Sequence, residues 1–163
     1  MTPPFSISWF TQASRWIRSI VESTSDGKID AMQRADEALA FADIIALAAL
    51  ADGVATPTEL TTLGHALEEF AEGSITTDEC VKRWHSLAEN HDSLDKLARY
   101  IRYTKMRLTP DDRIAALSII AGLAAEGSGI LDPRLGGYRN TYRASPEALL
   151  ALFNAELSET SKQ

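Results

Sequence analysis

The chain has 163 residues, of which 45% are hydrophobic and 24% charged, and its formal net charge is -7. That length holds one domain with a real core, and the negative balance argues against binding nucleic acid through phosphate contacts. The single cysteine, Cys80, excludes an intramolecular disulfide and a cysteine-rich zinc site, as expected of a protein in a reducing compartment.

The first predicted helix covers about Ser8 to Glu22. Trp9, Phe10, Ala13, Trp16, Ile17, Ile20 and Val21 recur at helical spacing and form one apolar stripe. Two tryptophans near Arg15 and Arg18 also resemble an interfacial helix, so the stripe has two readings. It packs on the bundle, or it docks on a membrane surface or a partner helix. Residues 1–28 are accordingly set apart as a candidate amphipathic appendage to a single domain spanning 1–163. The segment Ser23 to Gly27 reads as a loop.

The second helix is expected from Ala31 to Ala51, with Asp30 as its cap and Gln33 completing a capping box. Leu39, Ile44, Leu47 and Ala48 give it a core face, and Gly53 ends it. Asp43 interrupts its alanine-rich apolar run, which stays short of the roughly 18 residues that span a bilayer. Thr56-Pro57-Thr58-Glu59 opens the third helix, with Thr56 as N-cap, Pro57 at the first position and Glu59 reaching back. Leu60, Leu63, Leu67 and Phe70 continue its stripe. Thr76 and Glu79 form the next capping box, flanked by Ile75 and Cys80 as a hydrophobic staple. Val81, Trp84 and Leu87 then face inward.

The fifth helix covers Asp92 to Arg107, with Leu94, Leu97, Ile101 and Thr104 along its core side. Thr109-Pro110-Asp111-Asp112 opens the sixth, carrying Ile114, Leu117, Ile120 and Leu123. Asp132-Pro133 opens a weaker seventh, and Ser145-Pro146-Glu147 the last, with Leu149, Leu150, Leu152 and Phe153. Connections are short and no segment reads as a strand. The expected fold is therefore an all-α bundle of seven to eight helices.

Charge is divided along the chain. Acids dominate from Asp26 to Glu79, while Lys82, Arg83, Lys96, Arg99, Arg102, Lys105 and Arg107 dominate the following stretch. Such a surface suits docking to a protein partner. The Lys96, Arg99, Arg102, Lys105 series reads as a solvated face or as a contact for an acidic partner or an anionic headgroup. Paired acids such as Glu68-Glu69 and Asp111-Asp112 read as helix-surface and first-turn residues, where the helix dipole favours them.

Few patterns carry chemistry. His65, His85, His91 and Cys80 lack metal-ligand spacing, and no nucleophile–base or phosphate-loop motif is present. Cys80 falls on an apolar face as a buried thiol. Residues Glu22 to Gln33 have the register of an EF-hand loop, but Gln33 stands where a bidentate glutamate is needed. The strongest candidate is Ala51-Asp52-Gly53 with Glu59 beyond it. Carboxylates at a tight interhelical turn suit a hard cation, Ca²⁺ or Mg²⁺, although this turn supplies few oxygens. The competing reading is structural: Asp52 satisfies turn amides and Glu59 caps a helix.

The unit recurs. Leu50-Ala51-Asp52-Gly53 through Glu59 is echoed by Ala121-Gly122-Leu123-Ala124-Ala125-Glu126-Gly127 and Asp132-Pro133. A long helix ending in Ala-Asp-Gly, with a capped acidic helix after it, resembles the TerB-like (tellurite-resistance TerB) family over roughly Ala38 to Leu157. Thr76 to Glu79 and Ser145 to Glu147 sit where that family has its middle and final capped helices. The second unit departs from the pattern. Glu126 replaces the aspartate, Ser128 to Leu131 lengthen the turn, and Leu135 falls opposite Glu59.

The resemblance implies two helical halves related by a pseudo-twofold. It also implies a non-enzymatic binding module active in tellurite resistance or stress response, in complexes near the inner membrane. By the same resemblance, Asp52, Glu59, Glu126 and Asp132 are the candidate divalent-cation ligands. The expected location is cytoplasmic, with peripheral membrane contact through Trp9, Phe10 and Trp16 as a variant. The alternatives are a membrane-peripheral scaffold built on the first helix and a metal-dependent hydrolase.

Overall fold

The computed structural model describes residues 8–22, 28–52, 56–71, 75–91, 93–127 and 146–158. Among them lie α1 (Trp9–Glu22), α2 (Lys28–Asp52), α3 (Pro57–Ala71), α4 (Thr77–Asn90), α5 (Leu94–Thr104), α6 (Pro110–Gly127) and α7 (Pro146–Ser158). A 3₁₀ turn, Lys105–Arg107, joins α5 to α6. No strand occurs among the described residues, so the fold is an all-α bundle. No described helix is long and apolar enough to cross a membrane. The helix expected after Asp132-Pro133 lies outside the described residues.

α2 organises the bundle. It packs against α1, α3, α4, α5, α6 and α7, and every residue from Ala40 to Ala51 is buried. The sequence pattern predicts one core face for this helix; instead its stretch from Ala40 to Ala51 is enclosed on all sides. Its many alanines explain this, because a helix with short side chains lets neighbours approach from every direction. One hydrophobic core runs from Trp9 and Ile17 of α1, through Phe41, Ile44 and Leu47 of α2, to Phe153 and Leu157 of α7.

α1 contributes to that core. It packs on α2, α3 and α6, burying Trp9, Ala13, Ile17 and Ile20. Burying Ile17 and Ile20 stabilises the fold by roughly 1.5–3 kcal/mol each. The tryptophan stripe is thus turned inward: Trp9 is 2% exposed, and Trp16 donates its indole N–H to Asp112 Oδ1 at 2.9 Å. Of the three aromatic residues assigned to membrane contact, Phe10 and Trp16 are half-buried.

Local capping rules hold at three helix starts. Thr56 N–H donates to Glu59 Oε1 at 3.0 Å, and Glu59 N–H to Thr56 Oγ1 at 3.2 Å. Thr76 and Glu79 form the same reciprocal pair at the start of α4. At α6, Thr109 N–H donates to Asp112 Oδ2 at 3.0 Å, and Asp112 N–H to Thr109 Oγ1 at 3.1 Å. Each satisfies amides that a helix N-terminus leaves without partners. α2 departs from expectation: it begins at Lys28, which puts Asp30 inside the helix and rules it out as the N-cap. α5 starts later than predicted, with Ser93 accepting from Lys96 N–H as its cap.

Two expected core positions lie on the surface. Leu94 is 39% and Ile114 67% exposed, because the packed side of α6 runs through Ala116, Ile119, Ile120 and Leu123. Between α3 and α4 the helices approach closely at Gly64. A Cβ there would sit 3.3 Å from Cys80 Cβ and from Thr77, closer than ordinary van der Waals contact.

Candidate functional site

The four nominated cation ligands occupy different settings. Glu59 is half-buried and one of its oxygens serves the α3 cap. Asp52 closes α2, and Glu126 lies in the last turn of α6; the side chains of both, and all of Asp132, lie outside the described residues. Among the described residues no group of three or more His, Cys, Asp or Glu side chains is arranged to hold a metal ion. The twelve-residue EF-hand register runs into α2 from Lys28 onward.

The polar chemistry of the described residues is concentrated elsewhere. Asp43, near the middle of α2, is completely buried. Its Oδ1 accepts from Arg83 Nε at 3.0 Å and from Trp84 Nε1 at 2.8 Å. Its Oδ2 accepts from Arg83 Nη2 at 2.8 Å and Tyr100 Oη at 3.3 Å. A buried carboxylate is tolerated only when it is paired and hydrogen-bonded, and here three side chains from two other helices meet it. The pairing raises the Arg83 guanidinium above its ordinary pKa. Burial, and then the Asp43 charge, pushes the Tyr100 hydroxyl up to about 12. Tyr100 is therefore a neutral donor at physiological pH. The same two causes push the Cys80 thiol up to about 11, so its reactive thiolate form is suppressed.

Asp112 and Glu156 form two further nodes. Asp112, expected on the surface of a first turn, is 2% exposed. It accepts from Trp16 of α1, and its carboxyl helps to push the nearby Glu37 of α2 up. Glu156 of α7 receives a bidentate Arg102 at 3.0 and 2.8 Å, which holds its carboxyl below the usual range. Lys105, 5% exposed, donates to the Glu156 backbone carbonyl at 2.6 Å. The basic series of α5 thus divides. Arg102 and Lys105 serve the α5–α7 contact, while Lys96 and Arg99 are exposed.

Lys96 and Arg99 line a cavity of about 380 Å³ at the corner between α4 and α5, together with Asn90, His91, Tyr100 and Tyr103. His91 caps the end of α4; its Nδ1 lies 2.8 Å from the Leu87 carbonyl oxygen. A carbonyl only accepts, so Nδ1 carries the hydrogen. The His91 and Tyr100 rings meet at a centroid distance of 4.7 Å. Tyr103 is 76% exposed. Arg99 also pairs with Asp95 at 2.8 Å, with both side chains exposed.

The cavity and the buried node share Tyr100. One side of that ring lines the corner, while its hydroxyl reaches Asp43. α5 is thereby tied to α2 directly behind the cavity, and α4 is tied to the same carboxylate through Arg83 and Trp84. Two cations, three rings and an amide set on anchored helices make a site suited to an anionic ligand. The sequence signal for this site was the run of α5 bases with Tyr100 and Tyr103 interleaved. The contribution of Asn90 and His91 arises only because the α4–α5 turn folds them against that face. No protein-family model matches this chain, and neither a curated protein nor a solved structure does.

Proposed function

We propose that this chain is a TerB-like, non-enzymatic binding module that works with a protein partner, and that its α4–α5 corner is a site for an anionic group. The observation that carries this reading is the convergence of Lys96, Arg99, His91, Tyr100, Tyr103 and Asn90 on one solvent-facing cavity. The interior groups with catalytic potential support it. Asp43, Asp112 and Glu156 are engaged by protein donors, and the Cys80 thiol is held protonated. These contacts tie the helices of the bundle together.

The family resemblance would put such a module in a tellurite- or stress-response complex. A divalent cation at the turn after α2 remains part of the reading. Glu59 commits one oxygen to its cap, so Asp52 would be the first ligand of that cation.

Two-dimensional amide NMR of the full chain, titrated with inorganic phosphate and with citrate at constant ionic strength, tests the site. Shifts confined to the span from Asn90 to Tyr103 are expected. Shifts scattered over the surface, or none at all, would overturn the assignment.

A further inference from the structure

The lining of the corner is ordered along α5. Lys96 and Arg99 come first, and Tyr100 and Tyr103 follow toward the C-terminal end. Positions 96, 99, 100 and 103 share one helix face. From Lys96 to the two tyrosines the helix advances by roughly 6–10 Å. Lys96 therefore stands at one end of this face and Tyr103 at the other, with Arg99 and Tyr100 side by side between them.

The ring end is unusual for a solvated surface. Tyr103 leaves 76% of its area exposed, beside the tilted His91–Tyr100 pair. Asn90 adds an amide that both donates and accepts, suited to the edge of a heterocycle. The cavity, of about 380 Å³, opens widely to solvent, so a ligand there would keep one face exposed. A net charge of -7 disfavours a long polyanion but not a small one.

We infer that the corner binds a small aromatic molecule bearing an anionic group, of the nucleoside-monophosphate kind, with the anion at Lys96 and Arg99 and the ring against Tyr100 and Tyr103. This rests on the reading above that the corner is the binding face. The Arg99–Asp95 pair does not stand in the way, because exposed ion pairs of this kind exchange readily. Tyr100 is held in place by Asp43, so the inner ring of the site is fixed before the ligand arrives.

Isothermal titration of the full chain with AMP, adenosine and inorganic phosphate at one ionic strength tests the inference. AMP should bind at least about tenfold tighter than either half-ligand, because the two contacts reinforce each other. Tyr103→Ala should weaken AMP at least about fivefold, leave phosphate unchanged and leave the melting temperature unmoved. Lys96→Gln with Arg99→Gln should abolish phosphate binding and reduce AMP to the level of adenosine. If AMP binds no tighter than phosphate, or if Tyr103→Ala has no effect, the aromatic ligand class is wrong and the corner remains an anion site. If none of the three probes binds, both the ligand class and the corner fall.

Discussion

Asp43 and Asp112 are both nearly inaccessible, at 0% and 2% exposure, yet they keep different company. Asp43 is met by a guanidinium, an indole N–H and a phenol, so its charge is answered by donors on every side. Asp112 is met by an indole N–H, its own cap amide and a second carboxyl, that of Glu37. The first arrangement fixes a charge in the interior. The second sets two acids side by side, where one is favoured to hold a proton. The two nodes also join different parts of the bundle. Asp43 ties α2 to α4 and α5 behind the candidate site, whereas Asp112 and Glu37 join α6, α2 and α1 on a side that carries no assigned ligand.

The contrast is broken most directly at Asp43. Asp43→Ala strips Arg83, Trp84 and Tyr100 of their common acceptor, and the loss should be about 3–5 kcal/mol in urea denaturation. The corresponding Asp112→Ala removes fewer charge-assisted bonds and relieves Glu37, so it should cost roughly half as much. Equal losses at the two positions would show that the donors around Asp43 contribute less than their geometry suggests.

A second, smaller effect depends on pH. Burial first, and then the Asp112 carboxyl, pushes Glu37 from 4.5 up to about 7. Folding thus favours its protonated form. This contribution is complete below about 4.5 and is lost as pH rises through about 7. Between pH 5 and 8 the stability should fall by on the order of 2 kcal/mol, and Glu37→Gln should flatten that slope. A wild-type curve that is already flat over this range would mean that Glu37 is ionised in the folded state.

The smallest effect lies at the start of α3, where Glu59 is neither charge-compensated like Asp43 nor paired with an acid like Asp112. Glu59→Gln keeps an acceptor for Thr56 N–H, so it should change stability by about 0.5 kcal/mol or less. If Ca²⁺ or Mg²⁺ raises the melting temperature, Glu59→Gln should leave that rise intact and Asp52→Ala should abolish it. Loss of the rise in Glu59→Gln would make Glu59 a ligand as well as a cap.

The helices and several of their starts are legible along the chain because their causes are local. A capping box needs two residues three apart, and Thr56 with Glu59, Thr76 with Glu79 and Thr109 with Asp112 each meet that condition within one turn. Proline at the first position of α3 and α6 marks the same boundaries. The buried thiol of Cys80 follows from the apolar neighbours it shares with Trp84 at helical spacing. Asp30 shows the limit of such reading: it has the right residue type for a cap, but α2 starts before it.

Which polar groups go inside was decided only by the tertiary structure. Asp43, Asp112 and Lys105 occupy positions that read as a blemish in an apolar run, a surface acid and a surface base, and all three are buried. Asp43 goes inside because the stretch of α2 from Ala40 to Ala51 is enclosed by its neighbours and has no outer face to which a carboxylate could turn. Its partners lie 40, 41 and 57 residues away, a separation that no periodicity encodes. The candidate site follows the same rule. The sequence by itself supplies the bases and tyrosines of α5 and the rigid helix that orders them. Only the packing of α4 and α5 around Asp43 turns Lys105 and Arg102 toward Glu156, leaves Lys96 and Arg99 outside, and folds Asn90 and His91 over them to make a cavity.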